Sequence, residues 1–563
     1  MILTLRQKIL LALLFLFMAF FIGTYFSGWI LLLWIKNNDS LSFITIFKYL
    51  YYYGGHASYG TTVMVSAVLG YGIVFLSTFG LIYFVLFRNK HNLYGKARFA
   101  KSSELKKAGF FKSSNTGIVV GKKDGKYLFY SGQQFALLAA PTRSGKGVGI
   151  VVPNLLSYQG SIVVLDIKQE NFKLTSGFRR QYGQEVYLFN PFAEDKRSHR
   201  WNPLSYVSTD PNFRVSDLMS IANMLYPIGE NPKDRFWLGQ AQNVFLALAL
   251  FLFESSENDK KLASTCTMGE LLRTASGDGG DLREYFQGLA SLPFLSETCR
   301  TAFAGILGQA EETFGNIMAT FKEPLLPWLN PVVDAATSAN DFLLTDVRKR
   351  KMTIYIGVQP NKLAESRLII NLFFSQLINQ NTKELPQDNT DLKYQCLLLM
   401  DEFTSIGAVD IIAKSVSYMA GYNIRLFPII QSLAQLDAVY GKEVSRTIVT
   451  NHALQIIYTP REQRDANEYS EMLGYTAVKK ANTTRGTGQQ SINVGEERRS
   501  LMLPQELKAM PNTKEIFIYE GLEHPVMCDK IRYYEDSVFA KRVVKEAPVP
   551  DLIIQVQKTA VKT

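Results

Sequence analysis

Residues 135–158 read FALLAAPTRSGKGVGIVVPNLLSY, and this run decides the fold class. Residues 135–139 are apolar and suit a short buried strand, 140–145 are small or polar and suit a turn, and Lys146 opens an apparent helix. In such a strand–turn–helix the backbone N–H groups of the turn converge on phosphate oxygens. The helix N-terminus adds a favourable dipole, and the lysine reaches the terminal phosphates. The nucleotide-contacting set is therefore Thr142, Arg143, Ser144, Gly145, Lys146, Gly147 and Val148. Two positions depart from the pattern G-x-x-x-x-G-K-[ST]. Ala140 replaces the first glycine, which is tolerable where φ is not positive, and Gly147 replaces the hydroxyl residue that ligates Mg²⁺. Water or a neighbouring side chain then has to complete the metal shell.

Around this run, β-rich stretches recur at residues 117–121, 126–130, 161–167 and 185–189, several separated by segments long enough for helices. That pattern predicts an α/β fold with a mostly parallel sheet. An ATP-hydrolysing site of this type needs a carboxylate at the end of a neighbouring buried strand, to hold Mg²⁺ and orient water. SIVVLDIKQEN (161–171) offers Asp166, and YQCLLLMDEFTSIG (394–407) offers Asp401 and Glu402. The uninterrupted apolar strand 396–400 ending in Asp-Glu is the stronger signal: Asp401 is read as the metal residue, through water, and Glu402 as the group polarising the attacking water. The competing reading has both carboxylates capping a helix near Thr404 and Ser405. Asp166 either supports the site from an adjacent strand or caps the helix that begins near Gln169. A further apolar strand, 424–430, ends in Gln431, read either as a γ-phosphate contact or as a helix-start polar residue. The expected catalytic set is Lys146, Asp401, Glu402 and Gln431, with ATP and Mg²⁺ as cofactors.

Nearer the N-terminus, residues 9–35 and 61–87 carry no charge and are each long enough to cross a hydrocarbon core. The first run is too long for a cleaved signal peptide and lacks its small-residue cleavage site. Arg6 and Lys8 precede the first span, and Arg88, Lys90, Lys96, Arg98, Lys101, Lys106 and Lys107 follow the second. The connection between them holds only Lys36 and Lys48, with Tyr49 and Tyr51 to Tyr53 suited to an interfacial belt. Both ends, and the body behind them, are therefore expected on the cytoplasmic side. The 563 residues suffice for an anchor and two soluble domains, and the formal charge of +11 fits a polyanionic partner or simply the basic flanks of the spans. The four cysteines, Cys266, Cys299, Cys396 and Cys528, have no disulfide or zinc spacing.

Taken together, these stretches resemble the type IV secretion coupling proteins, the TraG/TraD group of conjugation ATPases. The likeness runs along nearly the whole chain. It rests on YGKARFAKSSELKKAGFF (94–111), PTRSGKGVGIVVPNLL (141–156), VVLDIKQEN (163–171), LFNPFAEDKRSHRWNPLSYV (188–207), DRFWLGQAQNVFLALALFLFE (234–254), MTIYIGVQP (352–360), LLLMDEFTSIG (397–407) and IIQSLAQL (429–436). The run with two Asn-Pro pairs is more specific than the phosphate loop. The resemblance implies a RecA-like P-loop domain in a homohexameric motor at the bacterial inner membrane, related to the FtsK and HerA DNA pumps. It also implies delivery of DNA–relaxase complexes or protein effectors to a type IV secretion channel. A Gly-Lys-Gly loop is familiar in that group, and Arg425 is the residue in the neighbourhood of its arginine finger.

Residues 211–331 turn helical, with apolar spacing at 215–225, 235–253, 268–274, 282–289 and 298–321. The resemblance implies an all-α domain there that takes part in substrate selection; a packed lid is the plainer reading. Residues 478–499 are polar and basic at their start, and Lys479, Lys480 and Arg485 are candidate DNA contacts on what otherwise reads as a solvated surface loop. The last residues read as a weakly ordered tail. The expected organisation is a two-span anchor (1–90), the first part of the nucleotide-binding domain (91–210), the all-α domain (211–331), the second part (332–535) and a tail (536–563). Three functions stand open: a coupling motor for conjugative DNA transfer, a docking receptor for protein effectors without DNA pumping, and an FtsK/HerA-like DNA pump.

Overall fold

The computed structural model describes residues 5–87, 95–229, 231–486 and 489–554, apart from some side chains, among them those of residues 479 and 481–495. The flanking charges Arg6, Lys8, Arg88 and Lys90 lie outside the described side chains. The chain forms two compact units, Met1–Leu93 and Tyr94–Thr563. In the first, helices Leu5–Ile35 and Gly60–Phe87 correspond to the expected apolar spans and are long and apolar enough to cross a membrane. They meet through small residues: a Cβ on Gly70 would come within 2.6 Å of Ser27 Cα. Thr24 Oγ1 and Tyr71 OH share a hydrogen bond of 2.9 Å. Close backbone approach and such polar contacts hold helices together where lipid is as apolar as the side chains. The connection contains a short helix, Thr45–Tyr53, that buries Ile46 and exposes Tyr51 and Tyr52.

The second unit is built on strands β1 (Ile118–Lys123), β2 (Lys126–Tyr130), β3 (Ala136–Ala139), β4 (Ser161–Ile167), β5 (Glu185–Phe189), β6 (Met352–Val358), β7 (Cys396–Met400), β8 (Ile424–Ile430), β9 (Leu454–Ile457), β10 (Tyr475–Gly486), β11 (Gln489–Ser500), β12 (Lys514–Tyr519) and β13 (Val526–Asp529). Among the described residues, eleven of them form one sheet in the order β2-β1-β13-β12-β9-β3-β8-β7-β4-β6-β5. From β9 to β5 the pairing is parallel, and β12, β13, β1 and β2 extend it antiparallel. The parallel strands are mainly apolar because both faces are covered, with polar residues such as Asp166 and Arg425 near strand ends. Leu137, Val163, Ile354, Leu398 and Leu426 feed one core, while Leu138, Val164, Tyr355, Leu399 and Phe427 feed another on the opposite face.

The helical insert separates β5 from β6 and shares the first of these cores. Its longest helix, Pro232–Asn258, is apolar enough to span a membrane, yet its inner side chains Ala241, Val244, Phe245 and Leu248 are buried in that core. The single helix expected over 298–321 is two, Glu297–Leu307 and Glu311–Lys322, broken at Gly308, whose N–H closes the first on Ala304 O. The Asn-Pro run is a bracket. Asn202 accepts from Leu204 N and donates its amide to Cys266 O at 2.9 Å, tying the sheet edge to the insert.

Two expectations change. Residues 478–486 and 489–499 belong to an antiparallel ribbon, β10 with β11, registered from Tyr475↔Ser500 to Gly486↔Gln489, rather than to an irregular loop. Its nearly all-polar sequence has no hydrophobic alternation to announce strands. The chain end is also not loose as far as it is described. Asp536 caps helix Ser537–Ala540 and pairs with Lys122 at 2.5 Å. Beyond it, Ala547 N donates to Ser176 Oγ, Ser198 N to Pro550 O and Leu552 N to Lys196 O. So 536–554 form part of the body, held by backbone hydrogen bonds that side-chain composition does not reveal.

Candidate functional site

β3 delivers the chain to the loop at the carboxyl edge of the parallel strands, where ligands of open α/β sheets bind. Ala140 is buried, its N–H donates to Ile430 O at 2.8 Å, and its φ is not positive, so the missing glycine costs nothing here. The turn is made instead by Arg143 at φ +60° and Gly145 at φ +86°. Lys146 then enters a wide helical turn, Gly147–Val151, which tightens into the α-helical Val152–Leu155. Gly147 faces open space: a Cβ there would meet no atom within 4 Å.

The two halves of the nucleotide-binding domain meet at Lys146. Its Nζ lies 2.5 Å from Glu402 Oε1 and 3.0 Å from Asp401 Oδ1. The Asp401 contact is an ion pair outside hydrogen-bond geometry, so Oδ1, shielded from solvent, makes no hydrogen bond. Glu402 reaches back because its backbone is left-handed, φ +59°, two residues after the end of β7. Gln431, at the end of β8, donates from Nε2 to Glu402 Oε2 at 2.7 Å and accepts from Thr142 Oγ1 at 2.9 Å. Lys146, Asp401, Glu402, Gln431 and Thr142 therefore stand together, and neither carboxylate caps the turn that follows β7. The helix after β8 is capped by Ser432, not by Gln431.

Burial pushes the Asp401 carboxyl above its ordinary range despite the pull of Lys146. Burial also pushes Glu402 upward, but the ammonium and amide that touch it outweigh this and leave it below its ordinary value. Glu402 is thus a carboxylate at neutral pH, the form a base requires.

Other candidate residues make different contacts. Asp166 is buried and accepts from Asn171 N at 3.2 Å and Phe172 N at 2.7 Å, holding the start of helix Glu170–Gln181. Burial drives its pKa up to about 7. Its hydrogen bonds are those of a helix cap, made on the strand beside β7, where its carboxyl also feels the charge of Asp401. Arg425 corrects a larger expectation: it sits at the opposite end of β8 from Gln431, fully buried, and its guanidinium donates to the carbonyls of Gln134, Thr116 and Tyr130. A guanidinium committed to three interior carbonyls is not offered to a neighbouring subunit. Lys480, on β10, is exposed and pairs with Glu497. Lys479 and Arg485 lie on the same strand with side chains outside those described.

Sequence order also concealed the strand arrangement: β8 intervenes between β3 and β7, so Gln431 stands between the phosphate loop and the carboxylates. Lys530, not singled out by any motif, donates from Nζ to Ser144 O at 3.2 Å within the loop.

The family model described as type IV secretory system conjugative DNA transfer matches residues 98–555. The chain belongs to that family. Among curated members of the conjugative transfer group, it is 28% identical to protein VirD4 of Agrobacterium fabrum over 90% of this chain and 75% of the relative. It is 27% identical to conjugal transfer protein TraG of Escherichia coli over 82% of this chain and 80% of the relative. Among solved structures, plasmid coupling protein TrwB in complex with the non-hydrolysable ATP analogue ADPNP superposes with a TM-score of 0.56 at 16% identity, covering 83% of this chain and 98% of that one. TrwB in complex with ADP and Mg²⁺ gives 0.54 at 16%, over 78% and 94%. At those identities the likeness establishes the fold: the RecA-like P-loop domain with an all-α insert that the conjugative transfer family was expected to carry.

Proposed function

We propose that this chain is an inner-membrane coupling ATPase, which hydrolyses ATP with Mg²⁺ and drives relaxase-bound DNA, protein effectors or both into a type IV secretion channel. The observation that carries the reading is the grip of Lys146 by Asp401 and Glu402, with Gln431 joining Glu402 to Thr142, in a member of the conjugative DNA transfer family. The donor set fits a metal-bound triphosphate. Asp401 offers a shielded oxygen with no hydrogen bond, and Gly147 leaves space where other loops place a hydroxyl. Asp401 would hold Mg²⁺, whose charge would offset that of the phosphates.

The chain's own residues do the rest. Lys146 exchanges its carboxylate partners for phosphate oxygens, releasing Glu402 to take a proton from water. Gln431 keeps the Glu402 carboxylate aimed and, through Thr142, senses the position of the loop. The two apolar helices anchor the chain with both termini and the ATPase body in the cytoplasm. The body works as a homohexamer, with the helical insert meeting cargo and Lys480 of the ribbon near the nucleic-acid path. Lys479 and Arg485 are proposed to share that path.

The test is ATP turnover by the full chain in lipid nanodiscs, with and without single- and double-stranded DNA. Several-fold stimulation is expected. Turnover indifferent to both would count against a DNA motor and leave effector docking as the role.

A further inference from the structure

Lys530 follows β13, and its antiparallel pairing through β12 to β9 returns the strand in the direction of β3. Its side chain therefore starts at the same sheet edge as the phosphate loop. The ammonium sits 3.5 Å from the ring centroid of Tyr458 and donates to Ser144 O. Tyr458 is itself fixed. It is fully buried, its N–H donates to Ala139 O at 3.0 Å, and its hydroxyl lies where a Cβ on Gly149 would approach within 2.6 Å. Behind these residues stands Glu515, buried, accepting from Cys528 Sγ at 3.5 Å. Desolvation lowers the Lys530 pKa to about 8, opposed by Glu515, so the cation is the main form at neutral pH.

The Ser144 carbonyl and the Gly145 N–H share one planar trans peptide and point in opposite directions. Anchoring the carbonyl on Lys530 turns the Gly145 N–H the other way, away from the ammonium. Among the described residues this N–H donates to no backbone carbonyl. Successive free N–H groups in such a turn are what bind phosphate.

We propose that Lys530, seated on Tyr458, is a positioning residue for nucleotide binding, holding the Ser144–Gly145 peptide so that its N–H faces the phosphates of a bound nucleoside triphosphate. The inference rests on the ATP-binding reading above and assigns a role to a residue 384 positions from Lys146 in the chain. Lys530 touches no phosphate in this scheme. It acts through the loop backbone and through its charge beneath it.

The experiment is binding of a fluorescent ATP analogue with Mg²⁺ to the full chain in nanodiscs, by anisotropy, alongside KM and kcat for ATP. Lys530→Met keeps the length and apolar stem and places a thioether on the Tyr458 ring. Loss of a charge-assisted hydrogen bond of this kind predicts analogue affinity and KM weaker by roughly tenfold or more, with kcat changed by less than about threefold. Lys530→Arg, which restores donor and charge, is expected to recover most of the affinity, and the melting temperature without nucleotide should match the wild type for both. Affinity in Lys530→Met equal to wild type overturns the inference, as does equal loss in Lys530→Arg and Lys530→Met accompanied by a lowered melting temperature. Lys146→Ala separates the two readings. If wild type binds and Lys146→Ala does not, the site stands whatever Lys530 does; if wild type itself fails to bind, both fall.

Discussion

Gln431 Nε2 donates to Glu402 Oε2 at 2.7 Å, joining the ends of two strands that lie side by side in the sheet. Removing the amide leaves the carboxylate held by Lys146 alone, which must leave it when phosphate arrives. Gln431→Ala is therefore expected to lower kcat by roughly 10- to 100-fold, the worth of a hydrogen bond to a charged group, with little change in KM. Steady-state ATP hydrolysis checks it. A pure KM effect would mean that Gln431 binds substrate without aiming Glu402.

Lys146 and Glu402 separate binding from chemistry. Lys146→Ala should abolish both nucleotide binding and substrate transfer. Glu402→Gln should retain nucleotide binding while losing hydrolysis by roughly 10²- to 10⁴-fold, the range of a general base. Membrane insertion should survive in both. Normal conjugative transfer by either variant would falsify the assigned site.

The two loop glycines should behave oppositely. The Cβ of Gly147→Ser meets no atom within 4 Å, and the variant restores a hydroxyl where Mg²⁺ loops usually carry one, so hydrolysis should persist and less Mg²⁺ should be required. Gly149→Ala drives its Cβ to 2.6 Å from the Tyr458 hydroxyl and 3.3 Å from Ile531 O, an overpacking that costs about 1–3 kcal/mol. A magnesium titration of turnover and thermal melts distinguish them; an inactive Gly147→Ser with intact folding would show that the open space is needed for something else.

Asp166 should govern stability rather than catalysis. Its folded pKa, about 7, lies above the ordinary 3.8, so between these values the folded state holds a proton that the unfolded state releases. Its contribution to stability is then full below about pH 4, is lost as pH rises towards 7, and stays lost above. Asp166→Asn removes that dependence, so the melting temperature of the variant relative to wild type should climb from pH 4 to pH 7 and level off. Hydrolysis should remain. A difference that is flat or falls with pH would mean that the carboxylate is ionised in the folded protein.

That Lys146, Asp401 and Glu402 would belong together was legible, because a strand–turn–helix ending in Gly-Lys and an apolar strand ending in Asp-Glu are local patterns with local causes. Buried parallel strands are mainly apolar on both faces, and long uncharged runs favour long helices, so the α/β class and the two apolar N-terminal helices were legible in the same way. Arg425, the β10–β11 ribbon and residues 536–554 were not. Whether an arginine faces a neighbour or three interior carbonyls depends on which strands pair, and a polar ribbon or a backbone-bonded chain end has no apolar rhythm to read.

The phosphate loop of residues 135–158 was thus determined by the sequence alone. Its surroundings were decided only by tertiary structure. The sheet order sets β8 between β3 and β7, bringing Gln431 between Thr142 and Glu402, and the antiparallel return of β13 carries Lys530 to Ser144. Gln431–Thr142 and Lys530–Ser144 join residues hundreds of positions apart, and Gln431–Glu402 joins neighbouring strand ends 29 positions apart. Chain direction and strand neighbourhood create them, and no local spacing encodes either.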